Sequence, residues 1–218
     1  MARSIPLLAW MALLPSGSVC QDYITPDQFA FTVDMDLEYG VDTNYLGLVD
    51  TLRLDLYKPV GNSDAKRPLM VMVHGGSWLG GCKDDPIGIV PMVHQFVKRG
   101  YVVASLNYRL GWHKDDFVPG AVAGFGISPW PEVYRSLYAL DSAEIKRAIY
   151  RGMQDVKGAI RWMKARTEQD STCVDKVFVG GESAGAFIAL GAAFLDDPSE
   201  KPSVCAAMPD AAPPYAQV

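Results

Sequence analysis

The sequence predicts an α/β fold with a mostly parallel sheet, and three observations lead to this expectation. Two apolar runs, residues 69–73 and 101–106, have the near-continuous hydrophobicity of parallel strands that are covered on both faces. A helical segment over 89–99 lies between them, and a long helical pattern over 145–163 follows. A third apolar run, residues 176–180, leads into another helical segment, so strands and helices alternate along the chain.

Two further strands are predicted before this alternating core. Residues 29–39 have the pattern of a strand with one solvated face. In residues 51–57, Leu52, Leu54 and Leu56 alternate with polar or amphipathic residues, as in a half-buried strand. We expect these two segments to pair as antiparallel neighbours at one side of the sheet.

Composition limits the class of protein. A chain of 218 residues fits one domain with a sizeable core, and 49% hydrophobic and 21% charged residues are ordinary for a globular protein. The net charge of −5 argues against nucleic-acid binding and against a polybasic membrane surface. The His, Cys and carboxylate residues show no metal-ligand spacing, so we expect no metal and no cofactor.

The N-terminus has the features of an export signal, which we place at residues 1–18. Arg3 supplies the positive charge, residues 5–14 supply a short apolar segment, and residues 16–18 are small enough for cleavage. The alternative is a buried N-terminal helix. We therefore expect a secreted or periplasmic protein whose domain covers residues 29–218.

A Gly-Glu-Ser-Ala-Gly string, residues 181–185, stands between a predicted strand and a predicted helix. A serine between two glycines at a strand-to-helix turn is the arrangement of a nucleophile elbow. The turn is so tight that a Cβ at either glycine would clash, and it leaves the serine hydroxyl exposed above the sheet. Ser183 is therefore the candidate catalytic nucleophile.

A glycine-rich loop follows the strand at 69–73 and supplies the second part of the candidate site. Its first residues, 74–78, are His-Gly-Gly-Ser-Trp. A hydrolase that acts through a serine needs two backbone N–H groups directed at the oxyanion that forms during the reaction. We expect one from Ala184 and the other from Gly75 or Gly76, where a bare backbone can approach the substrate.

Four motifs in a fixed order carry a family resemblance: HGGSW (74–78), SLNYRL (105–110), QDVKGAIRW (154–162) and GGESAG (180–185). Together they resemble the N-terminal part of the α/β-hydrolase carboxylesterases, in particular the secreted bacterial esterase and lipase-like group that includes feruloyl-esterase-like domains. The resemblance covers about residues 30–210 and implies an α/β-hydrolase fold, with helices on both faces of the sheet. It also implies ester hydrolysis through an acyl-enzyme intermediate. One departure is Ser77, where many relatives have a third glycine.

Residues 111–138 form a segment rich in glycine, proline and aromatic residues after the strand at 101–106. Ligands bind at the carboxyl ends of strands in such sheets, so we expect a lid or acyl pocket here, with Trp78, Trp112 and Trp130 as candidate pocket residues. The alternative is a loop that packs on the protein's own flank. The expected substrate is a small-molecule or carbohydrate-linked ester, and the sequence does not indicate an oligomeric state.

The expected base is missing from the part of the chain where it belongs. A serine nucleophile needs a histidine base and a carboxylate that orients it, and in this fold both follow the serine along the chain. The three histidines, His74, His94 and His113, all precede Ser183. We therefore expect an N-terminal part of a longer enzyme, with His113 as the alternative base.

Export would permit disulfide bonds, and Cys173 and Cys205 are the candidate pair. Cys173 precedes the strand that leads to the candidate nucleophile, and Cys205 follows the next helix, where another parallel strand is expected. A right-handed crossover places these two points at the same end of neighbouring strands. The alternative is two unlinked buried thiols.

Two other functions remain open at this point. A serine peptidase of the same fold would use the same elbow, although such enzymes usually carry an additional propeller domain and no blade repeat is visible. A non-catalytic binding protein on a hydrolase scaffold would tend to lose the nucleophile or the oxyanion glycines, which this chain keeps.

Overall fold

One five-stranded sheet with helices on both faces organises the protein in the computed structural model, which describes residues 22–110 and 142–208. The strands are β1 (Ala30–Thr43), β2 (Val49–Val60), β3 (Arg67–Val73), β4 (Val102–Leu106) and β5 (Thr172–Gly181). The helices are α1 (Ile89–Val97), α2 (Ser142–Ala165), α3 (Thr167–Asp170) and α4 (Ala184–Phe194). Two 3-10 turns, Pro198–Glu200 and Ser203–Cys205, follow α4.

The strand order is β1-β2-β4-β3-β5. The pairs β1–β2 and β2–β4 are antiparallel, whereas β3 pairs in parallel with both β4 and β5. The predicted α/β class is confirmed, as is the antiparallel pairing of the first two strands. Within the described residues the sheet is mixed, because the β1–β2 hairpin adds two antiparallel pairings to the parallel core.

Strand β3 lies at the centre of the core, and alternate side chains point to its two faces. Val71 and Val73 belong to the cluster that packs under α2 and α4, together with Met153 and Ile188. Met70 and Met72 belong to the opposite cluster, under α1. Burial on both faces explains why the sequence of this strand is an unbroken apolar run.

The chain after α4 differs from the prediction, because a 3-10 turn replaces the parallel strand expected at Cys205. Cys205 is buried there against the N-terminal part of α2, with its Sγ 3.8 Å from the Lys146 carbonyl. Cys173 lies beyond the other end of α2, at the start of β5. The rise of a helix from residue 146 to its end at Ala165 is about 28 Å.

The expected Cys173–Cys205 disulfide is therefore not formed. A disulfide needs Cα atoms within about 7 Å of each other, and these two cysteines lie at opposite ends of α2. The expectation was wrong because it assumed a parallel strand directly after α4.

The helices of the described residues include none that combines the length and the hydrophobicity needed to cross a membrane. The predicted signal at 1–18 and the aromatic segment at 111–138 lie outside the described residues and stay predictions.

Candidate active site

Ser183 lies at the turn between β5 and α4, and its side chain is exposed. Its backbone has φ 48° and ψ −114°, a positive φ that is uncommon for a residue other than glycine. Two hydrogen bonds hold the turn: Glu182 N–H donates to the Val73 carbonyl at 3.0 Å, and Gly185 N–H donates to the Glu182 carbonyl at 2.7 Å. The sequence-predicted elbow geometry is thus present, with the strain that accompanies such turns.

The two glycines of the elbow allow α4 to approach β3 closely. A Cβ at Gly181 would lie 2.5 Å from the backbone of Gly185 and 2.8 Å from the Val73 carbonyl oxygen. A Cβ at Gly185 would lie 2.2 Å from the Val73 oxygen and 2.5 Å from the His74 oxygen. Because real Cβ atoms essentially never come within 3.0 Å of such atoms, both positions require glycine, as the sequence predicted.

The glycine-rich loop after β3 meets the elbow directly. A Cβ on Gly75 would lie 3.3 Å from Ser183 Cβ and 3.2 Å from the Glu182 carbonyl oxygen. Ala184 is the first residue of α4, so its N–H is one of the four that a helix leaves without an intrahelical acceptor. The structure therefore brings together the serine and two of the predicted oxyanion residues.

The loop turns through three successive residues with positive φ: Gly76 at 113°, Ser77 at 53° and Trp78 at 63°. The N–H groups of Leu79 and Gly80 both donate to the Gly76 carbonyl, at 3.0 and 3.1 Å. A positive φ strains any residue with a Cβ, which is the physical reason why glycine suits the position that Ser77 occupies.

His74 contacts the backbone of this loop and is held in place by Tyr108. Its Nδ1 lies 2.7 Å from the Gly75 carbonyl oxygen, so Nδ1 carries the hydrogen, and its ring stacks on Tyr108 with centroids 4.4 Å apart. Burial lowers the pKa of His74 and favours the neutral ring. Since a trans peptide directs its C=O and N–H to opposite sides, this contact turns the N–H of Gly76 away from His74. The geometry fits a supporting role.

Of the predicted pocket residues, the structure places Trp78 near the site. Its half-buried ring meets Phe187 edge-on, with centroids 5.9 Å apart, and Phe187 lies one turn after Ser183 on α4. Trp112, Trp130 and the alternative base His113 lie outside the described residues.

The histidines within the described ranges, His74 and His94, make no hydrogen bond to Ser183. His94 lies on α1, where its ring packs against Phe31 at 4.8 Å and Tyr57 at 6.0 Å, and burial lowers its pKa. In residues 22–110 and 142–208, no three His, Cys, Asp or Glu side chains are placed to hold a metal ion.

Arg109 and Asp155, which lie in two of the sequence motifs, form a buried structural ion pair. The guanidinium lies 2.7 and 2.9 Å from Asp155 Oδ1, and Arg109 N–H donates to Oδ2 at 2.8 Å. A second contact, 2.8 Å long, joins Arg109 to Asp42. The pair joins the segment directly after β4 to the middle of α2, so both residues help to hold these two elements together.

Sequence reasoning missed a charged cluster behind the glycine-rich loop. Lys83 is buried, with its Nζ 2.9 Å from Asp55 and 3.0 Å from Asp36. Burial alone would lower the pKa of the ammonium, but the hydrogen bonds and charges of the two carboxylates outweigh it and raise the pKa. The sequence signal that could have revealed this cluster is Asp55, a charged residue inside the alternating apolar pattern of β2 that becomes buried in the fold.

Known proteins are similar to parts of this chain. The BD-FAE family of esterase- and feruloyl-esterase-like domains matches residues 54–123, which contain the glycine-rich loop. Lipase 1 of Geotrichum candidum is 28% identical over 140 residues, which are 63% of this chain and 21% of the lipase.

Two solved esterases also align with the structure. A thermophilic esterase from the planctomycete Thermogutta terrifontis is 22% identical, with 75% of this chain and 43% of that chain covered and a TM-score of 0.46. Esterase B from Lactobacillus rhamnosis is 19% identical, with 78% and 42% covered and a TM-score of 0.48. The chain thus spans about a fifth of the lipase and less than half of each esterase. The family match confirms the resemblance to esterases that the four motifs indicated.

Proposed function

We propose that this chain, which has an α/β-hydrolase fold and is related to esterase- and lipase-type enzymes, is the nucleophile-bearing part of a serine carboxylesterase. The observation that carries the proposal is the contact between Gly75 and Ser183, 3.3 Å from a Cβ built on the glycine to the serine Cβ. It places a glycine backbone without a side chain, an exposed serine and the N-terminus of α4 around one point. This combination suits acyl transfer.

In the proposed reaction, Ser183 Oγ attacks the carbonyl carbon of an ester while a histidine base takes the hydroxyl proton. The N–H of Ala184 and that of Gly75 or Gly76 stabilise the tetrahedral oxyanion. The C–O bond to the alcohol then breaks, and the base returns the proton to the leaving alcohol. Water, activated by the same base, attacks the acyl-enzyme and releases the carboxylic acid and the free serine.

We place the base and its orienting acid in sequence that follows residue 218. The three histidines of the chain precede Ser183, whereas this fold supplies its base from a later loop. The described residues also leave an apolar stripe on α4 in solvent: Phe187, Leu190 and Phe194 are 59%, 58% and 71% exposed. Such a stripe is typical of a surface that another part of a protein covers.

The substrate that we propose is a carboxylic ester on a small molecule or a carbohydrate, encountered outside the cytoplasm after export through residues 1–18. The N-terminal sequence of the protein recovered from the producing organism tests the export step. A start after Ser18 supports it, and a start at Met1 contradicts it.

Hydrolysis of a short-chain aryl ester by the full-length gene product tests the activity. We expect Ser183→Ala to abolish turnover, and Ser199→Ala, at an exposed turn, to retain it. Turnover that survives Ser183→Ala would refute the assignment. The same assay on residues 1–218 locates the base: Ser183-dependent activity there would point to His113 and contradict a base after residue 218.

A further inference from the structure

We propose that Lys83 is a positioning residue, which holds the glycine-rich loop (residues 74–82) against the nucleophile elbow. The inference rests on the proposed function and deepens it, because it assigns the alignment of the oxyanion N–H groups to a side chain that does not touch the substrate. Lys83 lies directly after the loop and is 4% exposed.

Lys83 is fixed to the sheet through its backbone and its side chain. Its N–H donates to Asn107 Oδ1 at 2.7 Å, and its carbonyl accepts from Ser105 Oγ at 2.7 Å. Its ammonium bridges Asp55 on β2 and Asp36 on β1, at 2.9 and 3.0 Å. Strands β1, β2 and β4 therefore all determine where the loop ends.

The two carboxylates that bind the Lys83 ammonium, those of Asp36 and Asp55, belong to residues that are also joined to each other. Asp36 has a positive φ of 55° at a register shift in β1, and its N–H donates to Asp55 Oδ1 at 2.8 Å. Asp55 is 1% exposed, so its carboxylate depends on the lysine for compensation of its charge.

Gly81 connects Lys83 to the predicted oxyanion residues by direct packing. A Cβ on Gly81 would lie 2.4 Å from the Gly75 carbonyl oxygen and 2.6 Å from His74 Nδ1, so the backbone of Gly81 packs directly on both. Gly81 precedes Lys83 by two residues. A shift of Lys83 would therefore move the Gly75 carbonyl, and the Gly76 N–H belongs to the same rigid peptide plane.

The test needs a variant that removes the anchor without leaving a bare buried charge. Lys83→Met alone would leave Asp55 uncompensated and reduce folding stability, so the informative protein is the double variant Lys83→Met/Asp55→Asn. Asparagine at position 55 keeps an oxygen that can accept from Asp36 N–H. The matched control is Lys98→Met, which removes a partly exposed lysine from its surface pair with Asp27.

The first readout is steady-state hydrolysis of an aryl ester by the full-length protein, at a temperature where circular dichroism shows each variant folded. We expect the double variant to lower kcat about 10- to 100-fold with KM changed less than about 2-fold, because misplaced donors weaken transition-state binding. Affinity for a boronic acid, which mimics the tetrahedral state, should fall by a similar factor. The Lys98→Met variant should match the parent. A folded double variant with the parent's kcat would overturn the proposal.

The second readout does not depend on activity. Hydrogen exchange at the Leu79 and Gly80 amides, which donate to the Gly76 carbonyl, should be about 10-fold faster or more in the double variant, while exchange in β4 stays unchanged. Unchanged protection of the loop would overturn the proposal. If the parent shows no Ser183-dependent turnover, the proposed function fails, and the exchange rates still decide whether Lys83 anchors the loop.

Discussion

Replacement of Gly185 by alanine tests the packing that creates the elbow. The added Cβ would lie 2.2 Å from the Val73 carbonyl oxygen and 2.5 Å from the His74 carbonyl oxygen. Both atoms belong to backbone, which cannot rotate aside as a side chain can. Overpacking of this kind costs about 3 kcal/mol, and the better helix propensity of alanine returns about 1 kcal/mol. We therefore expect the free energy of unfolding to fall by about 2 kcal/mol.

The matched control is Gly158→Ala in α2, where the nearest atom, Arg161 Nη2, lies 4.0 Å from the added Cβ. This change should stabilise the protein by about 1 kcal/mol, because it brings helix propensity without a clash. Urea unfolding followed by circular dichroism measures both. A Gly185→Ala protein as stable as the parent, or a Gly158→Ala protein that loses as much stability, would refute the packing argument.

Two further changes test the buried charge pair and the buried histidine. Asp155→Asn leaves Arg109 buried without its main partner, so the free energy of unfolding in urea should fall by about 3–5 kcal/mol. Glu38→Gln, which breaks an exposed pair, should lower it by less than about 1 kcal/mol. Similar losses in the two variants would contradict this expectation. Burial lowers the pKa of His74 below 6.5, so the folded state binds its proton less readily than the unfolded state, and stability should fall as the pH drops from 6.5 through the folded-state pKa. His74→Gln should make stability depend less on pH between about 5 and 7.5, and the remaining dependence should include that of His94, whose pKa is also lowered. An unchanged slope of stability against pH would contradict the role given to His74.

The elements that were predicted correctly are those whose residue pattern lies within one short stretch of the sequence. Strand β3 is a continuous apolar run because both of its faces are covered, and the alternating leucines of β2 point into one core. Gly181 and Gly185 were predictable as well, because an elbow between a strand and a helix requires close backbone approach whatever surrounds it.

The features that sequence reasoning missed depend on contacts between distant segments. The pairing of Lys83 with Asp55 joins residues 28 positions apart, and no local pattern indicates which carboxylate a buried lysine will meet. The apolar content of residues 204–207 resembles a strand, but the structure has a 3-10 turn there that packs on α2. Strand propensity depends strongly on such context. The predicted disulfide was wrong for the same reason.

Covalent labelling of the full-length protein with a fluorophosphonate, followed by peptide mass spectrometry, tests directly whether Ser183 is the nucleophile. An activated serine expels fluoride and keeps the phosphonyl group, so the label marks the nucleophile itself. We expect one adduct, on the peptide that contains Ser183, and none in Ser183→Ala. Labelling of a different residue, or an active esterase that leaves Ser183 unlabelled, would contradict it.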